Sequence, residues 1–116
     1  THTQSSAASD VYKRQKMLHD LFDCIVILKG SGTIIYDGKK FYTCMDGNHG
    51  MAVAGMGDTL SGILLCELSL NPDIFDACIK ATTFHSYSAD YLLKNKKIKK
   101  FLPSMIPETY SKLANI

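Results

Sequence analysis

A chain of 116 residues with a formal net charge of +2, 46% hydrophobic and 21% charged residues is one domain at most. It can bury roughly two thirds of its unfolded surface, and its balanced charge points to no particular class of partner. The four cysteines, Cys24, Cys44, Cys66 and Cys78, form no CxxC or CxxH pair, which argues against a disulfide framework or a zinc site and for a reducing cytoplasm. No apolar run approaches the ~20 residues that span a bilayer, and the amino terminus lacks the charged and apolar regions of a signal peptide, so a soluble protein without membrane partners is expected.

Taken in chain order, the first segment stands apart. Ser5 to Gln15, SSAASDVYKRQ, matches the in-frame translation of a transposase sequencing adapter ending in its mosaic-end repeat, and residues 1–15 are therefore set aside as an adapter-derived tail. The alternative is a short, polar, solvated amino-terminal tail. On the adapter reading, natural sequence enters at Lys16, and residues 16–116 come from a longer reading frame. Met17, Leu18, Leu21 and Phe22 recur at helical spacing and predict the end of a helix. Cys24 to Leu28 is a continuous, largely β-branched run, the pattern of a strand buried on both faces of a mostly parallel sheet. Thr33–Tyr36 and Lys40–Cys44 flank Asp37-Gly38-Lys39 and predict a β-hairpin whose arms alternate apolar and polar residues.

Downstream, Leu60, Ile63, Leu64, Glu67 and Leu68 place a mostly apolar stripe along a helix that stops at Asn71-Pro72. A second helix follows, capped by Asp73, with Ile74, Ala77, Cys78, Ala81, Phe84, Ser88 and Leu92 on its covered face. Lys94, Lys96, Lys97, Lys99 and Lys100 suit the end of that helix and a solvated loop, and without interleaved aromatics to stack bases they do not read as a nucleic-acid surface. Leu102 to Leu113 predicts one more helix or a pair of short turns, with Ser104 as a candidate cap and Pro107 in or before a first turn. The cysteines read as small core residues, Met51 and Met56 as packing or loop residues, and His85 as a histidine on a covered helix face.

The chemistry-bearing stretch is Gly47 to Gly62, GNHGMAVAGMGDTLSG, with five glycines. Gly55-Met56-Gly57-Asp58 stands where the apolar helix begins. Glycines allow close backbone approach to a phosphate, and the free amides and positive dipole end of a helix start stabilise negative charge. A carboxylate there can take a proton from a substrate hydroxyl that attacks a bound phosphoryl group, and Asp58 is the residue so placed. Taken alone, GMGD reads equally as a capped helix preceded by a glycine turn. Lys29-Gly30-Ser31-Gly32-Thr33, at a strand's carboxyl end where open α/β sheets bind ligands, adds to the phosphate-site reading.

Together, KGSGT, GNHGMA and GMGDTLSG resemble the carboxyl-terminal half of the ribokinase-like superfamily and, within it, the ADP/ATP-dependent NAD(P)H-hydrate dehydratases. The resemblance runs from about Cys24 to Leu113 and extends to His85 on a helix and Ile106-Pro107 near the end. One departure is visible, because the family carries proline where this chain has His49. The resemblance implies the carboxyl-terminal part of a three-layer α/β/α fold and repair of hydrated nicotinamide cofactors with ADP or ATP as co-substrate. Asp58 would be the base and touch substrate, and Mg2+ would offset phosphate charge. Nucleotide would be bound by Lys29, Gly30, Ser31, Gly32 and Thr33, and by Asn48, His49, Gly50, Met51, Ala52, Val53, Ala54, Gly55, Met56 and Gly57. The implied partners are nucleotide and hydrated NAD(P)H, with room for a homo-oligomer. Two alternatives stand beside this: a ribokinase-like kinase of a vitamin or small alcohol using the same aspartate, and a truncated, inactive nucleotide-binding fragment.

Overall fold

The computed structural model describes residues 2–30 and 32–116, with side chains from residue 9 onward. Ser31 and the side chains of Ser5 to Ala8, which belong to the predicted phosphate loop and the adapter-like segment, lie outside the described residues. The chain divides into two compact units, residues 1–43 and 44–116.

In the first unit, helix α1 spans His2–Phe22 and so runs through the adapter-like segment as well as the predicted helix end. Its covered stripe is Val11, Gln15 and His19, one turn apart, whereas Met17, Leu21 and Phe22 are 69%, 75% and 64% exposed. The spacing thus identified a helix but not its buried side, because periodicity defines a face without saying what covers it. Gln15 is fully buried, and its Nε2 donates to the carbonyls of Ile34 at 2.9 Å and Val26 at 3.4 Å. Nδ1 of His19 lies 2.7 Å from the Cys24 carbonyl where the helix ends.

A three-stranded sheet follows in the order β1 (Val26–Leu28), β2 (Thr33–Tyr36), β3 (Phe41–Cys44). β1 pairs antiparallel with β2, Val26 facing Tyr36 and Leu28 facing Ile34. The expected parallel strand, buried on both faces from Cys24 onward, is therefore corrected: Val26 alone of this strand is buried, Ile27 and Leu28 are half-buried, and Cys24 is exposed. An apolar run reports an affinity for burial and carries no information on strand direction. The predicted hairpin is present between β2 and β3. Asp37 closes its turn by accepting from the amides of Lys39 and Lys40, both at 2.8 Å, while burial falls on neighbouring residues Ile35 and Tyr36 instead of alternating. Tyr36 stacks on Phe41 with ring centroids 4.3 Å apart, and Tyr12 meets Phe41 edge-on at 4.7 Å.

The second unit is built by α2 (Met56–Leu70), α3 (Ile74–Asn95) and α4 (Met105–Ala114). Met56, Ile63, Ala81, Ala89, Leu92, Phe101, Ile106 and Tyr110 form its core, and each large apolar side chain so covered contributes about 1.5–3 kcal/mol relative to exposure. Small residues on α3, with Ala77, Ala81, Ser88 and Ala89 fully buried, let neighbouring helices approach closely. Asp73 caps α3 as expected, its side chain accepting from the Asp76 amide at 2.9 Å.

Three details differ from expectation. Ile74 is 59% exposed, since the first turn of α3 turns the neighbouring Phe75, at 8%, and Ala77 to the covered side instead. Ser104 sits at the start of α4 without a side-chain capping bond, because its own backbone is already helical and the entering turn is closed by Met105 and Ile106 amides on the carbonyls of Leu102 and Pro103. Glu67, on the apolar stripe of α2, is buried at 4% exposure and is paired. It accepts from Tyr110 Oη at 3.3 Å and from Asn71 Nδ2 at 3.2 Å, and Lys80 Nζ donates to Asn71 Oδ1 at 2.8 Å. A buried carboxylate is tolerated only with such partners.

Candidate active site

The segment from Gly47 to Asp58 lies within the second unit and is formed by local rules. Asn48 initiates a short 3₁₀ turn, His49–Met51, by accepting the Gly50 amide on its Oδ1 at 3.0 Å. Gly50 is required by space: a Cβ there would come within 2.5 Å of Phe101 Cε2 and 2.6 Å of the Lys99 carbonyl oxygen. Ala52, Val53 and Ala54 are exposed. At Gly55 the backbone takes a φ of +96°, in the left-handed region that only glycine enters cheaply, and α2 starts with no side-chain cap.

The first-turn amides at Met56, Gly57 and Asp58 have no acceptor inside their own helix, and a carboxylate in that turn sits at the positive end of the dipole. Asp58 is exposed in this turn. Beside it, a cavity of about 370 Å³ is lined by Asp58, Thr59, Gly62, Ile63, Pro107 and Tyr110, within the size range of small-molecule sites. The walls other than Asp58 and Thr59 are largely apolar. Among the described residues no group of three or more His, Cys, Asp or Glu could hold a metal ion.

Two side chains of α3 grip this segment. Asp90 accepts the Gly47 amide on Oδ2 and the Asn48 side-chain amide on Oδ1, both at 2.9 Å. His85 Nε2 lies 3.1 Å from the Met56 carbonyl and 3.0 Å from Thr59 Oγ1, and Thr59 itself donates to the Met56 carbonyl at 2.8 Å. Since a carbonyl only accepts, Nε2 carries the hydrogen. His85 is thus the buried, hydrogen-bonded histidine expected on a covered face, Met56 a core residue, and Met51 half-buried against the core.

Of the residues singled out in the sequence, Asn48 through Asp58 form one continuous structure in the second unit. Lys29, Gly30, Gly32 and Thr33 belong to the first unit. There Lys29 is exposed at the end of β1, Gly32 has a φ of +77°, and Thr33 Oγ1 donates to the Gly30 carbonyl at 3.3 Å. Asp90 escaped the sequence reading. Its one clue is a carboxylate next to the small Ala89, between the covered Ser88 and Leu92 of α3.

A family model described as NAD(P)H-hydrate dehydratase matches residues 2–112. The chain is 37% identical over 86 residues to a bifunctional NAD(P)H-hydrate repair enzyme of Vibrio cholerae, covering 74% of this chain and 17% of that protein. It is 33% identical over 94 residues to an ADP-dependent (S)-NAD(P)H-hydrate dehydratase of Listeria monocytogenes, covering 78% of this chain and 33% of that protein. Among solved structures, a hypothetical protein of Streptococcus mutans superposes with a TM-score of 0.72 at 32% identity, over 78% of this chain and 33% of that one. The fold is also that of a Bacillus subtilis ADP/ATP-dependent NAD(P)H-hydrate dehydratase co-crystallized with ATP/Mg2+, with a TM-score of 0.72 at 24% identity over 86% of this chain and 38% of that one.

Proposed function

The chain belongs to the NAD(P)H-hydrate dehydratase family, and from that premise we propose that it supplies the phosphate loop and catalytic aspartate for ADP- or ATP-dependent dehydration of hydrated NAD(P)H. The observation that carries the reading is the Gly47–Asp58 segment, a glycine-shaped loop running into an uncapped helix start with Asp58 in its first turn beside a cavity. The amides of Ala54 to Gly57 would hold the transferring phosphoryl oxygens, and Asn48 to Met51 would line the adenosine and phosphate side; Lys29 to Thr33 is proposed as a nucleotide-binding segment on the family resemblance. Partial coverage of longer relatives is in keeping with residues 16–116 as the carboxyl-terminal part of a dehydratase domain; the adapter-derived origin of residues 1–15 is proposed on their sequence alone, against a family match that begins at residue 2. Recovering the reading frame 5′ of Lys16 tests that assignment. Among the described residues no helix is long and apolar enough to cross a membrane; a cytoplasmic reaction is part of the proposal and rests on the four widely spaced cysteines, which suit a reducing compartment.

In the proposed reaction Asp58 takes the proton of the hydroxyl on the hydrated ring, and that oxygen attacks the terminal phosphorus as the bond to the bridging oxygen breaks and the shortened nucleotide leaves. The ring nitrogen's lone pair then expels phosphate by breaking the carbon–oxygen bond. Loss of a proton from the adjacent ring carbon restores the dihydronicotinamide. Phosphorylation converts hydroxide, a poor leaving group, into phosphate, a good one. Mg2+ favours one or two carboxylates together with phosphate oxygens over an all-protein cage. Such an ion would be carried in on the nucleotide, where it would offset phosphate charge.

Asp58→Asn, made in the full reading frame that contains this chain, tests the reading. Turnover of the hydrate is expected to fall by about 10²–10⁴-fold while ADP still binds, and unchanged turnover would remove Asp58 as the base. Following restored dihydronicotinamide against a phosphorylated alcohol separates dehydratase from kinase.

A further inference from the structure

We propose that α3 is the positioning element of this site, with Asp90 setting the nucleotide end of the Gly47–Asp58 segment and His85 setting its catalytic end; the inference rests on the functional reading above. The two residues lie on one rigid helix of 22 residues, five positions apart, which is ~7.5 Å along the axis. Each meets the segment at one end. Asp90 uses both carboxylate oxygens, one on the Gly47 amide and one on the Asn48 side chain, each at 2.9 Å. Bonds to a charged acceptor are the stronger kind.

The grip is transmitted. Asn48, oriented by its donation to Asp90, turns its own Oδ1 to the Gly50 amide at 3.0 Å, so the carboxylate fixes the 3₁₀ turn through one intermediary. The backbone at Gly47 also lies against α3: a Cβ there would stand 3.6 Å from Ser86 Cβ. At the other end, His85 holds the Met56 carbonyl and the Thr59 hydroxyl, which bracket Asp58 in the first turn of α2. Neither side chain touches the proposed reacting atoms, so both act through others. Residues 52–54 between the two anchors are exposed, and apart from the Ala52 amide on the His49 carbonyl at 3.1 Å and the Val53 amide on the Met51 carbonyl at 2.9 Å the spacing of phosphate amides from Asp58 depends on where the anchors stand on α3.

An amide cannot replace Asp90, since one of its two atoms would face a donor with a donor. A glutamine at 85 can present an N–H near the place of Nε2, whereas phenylalanine keeps the ring and loses the donor. The two ends therefore separate in kinetics. Asp90→Asn is expected to raise KM for ADP about tenfold with kcat nearly unchanged, the loss of one charge-assisted bond. His85→Phe is expected to lower kcat at least about tenfold with KM for ADP nearly unchanged, and His85→Gln to recover most of it. Amide exchange of Gly47 and Gly50 should quicken in Asp90→Asn of this chain and stay as in the parent in His85→Phe.

The assays use ADP as the probe in the full reading frame, alongside thermal unfolding. If the unmodified protein neither binds ADP nor restores dihydronicotinamide, the functional reading fails. If it does both, and the two variants change kcat and KM alike, in step with lost stability or not at all, the positioning proposal is overturned. Unchanged Gly47 exchange in Asp90→Asn overturns the Asp90 half by itself.

Discussion

Two glycine-rich segments of similar composition are held very differently. In the first unit, the loop after β1 is tied by Thr33 Oγ1 on the Gly30 carbonyl at 3.3 Å, with Lys29 exposed. In the second, the Gly47–Asp58 segment is anchored at one end by Asp90 and at the other by His85, and Gly50 is pressed against Phe101 and the Lys99 carbonyl. Helix α1 of the first unit turns Met17, Leu21 and Phe22 outward, while Ile63, Ala81, Leu92, Phe101 and Ile106 of the second are almost wholly covered. Glycine content therefore says that a loop can approach a ligand, and the surrounding core decides whether it is preorganised to do so.

The largest test of this difference is Gly50→Ala. The added methyl must displace a backbone carbonyl at 2.6 Å or a buried ring at 2.5 Å, and overpacking of this kind costs about 1–3 kcal/mol. Urea unfolding should show that loss. Gly62→Ala, inside α2 where nothing lies within 4 Å of the new Cβ, should cost clearly less.

Next in size is a pH dependence confined to the second unit. Burial, first, then the Cys66 side chain and the Glu67 carboxylate push the Tyr110 hydroxyl well above the ordinary tyrosine value of 10. A raised native value means that the folded state favours the neutral phenol. The contribution is complete below the ordinary value and is lost as pH rises above it, at up to about 1.4 kcal/mol per pH unit for one group. Tyr110→Phe should flatten the alkaline fall in stability relative to the parent chain, and an identical alkaline slope in both would show that Tyr110 is not the group responsible.

Smaller again is Lys29→Ala, which tests whether the loosely held loop shares in nucleotide binding. A severalfold weaker affinity for ADP is expected, in keeping with an exposed, screened charge on a phosphate. Equal affinity would confine the nucleotide contacts to the second unit.

How much of this was legible depended on the range of the interaction. Asp73 as a cap, Asp37 in a turn and α2 stopping before Pro72 are local, and the sequence carried them within a residue or two. The GNHGMA and GMGD segments stand out in the sequence because their residues are contiguous, and the structure keeps them in one unit. What failed was tertiary. The spacing of Met17, Leu18, Leu21 and Phe22 marked a face that nothing covers in the first unit, while polar Gln15 took the buried position by donating to two strand carbonyls. The run from Cys24 to Leu28 promised burial and yielded an antiparallel, half-covered strand. Asp90 reaches Gly47 across 43 positions of sequence, and no local pattern connects a carboxylate late in one helix with a loop that precedes another.

The smallest effect lies in the hairpin of the first unit and probes its one well-made turn. The amides of Lys40 and then Lys39 hold the Asp37 carboxylate below the ordinary aspartate value of 3.8. Here the sign is opposite to that of Tyr110. A depressed native value means that the folded state favours the ionised form, so the contribution is present above the ordinary value and disappears as pH falls through the lowered one. Asp37→Ala should be slightly less stable than the parent at neutral pH, and the gap should close in acid as the parent's carboxylate takes up its proton. Because the group is fully solvated the gap is small at any pH, and a hairpin probe such as Tyr36 or Phe41 is needed to see it. A gap that persists unchanged in acid would mean that the turn depends on the Asp37 side chain for its shape and not for its charge.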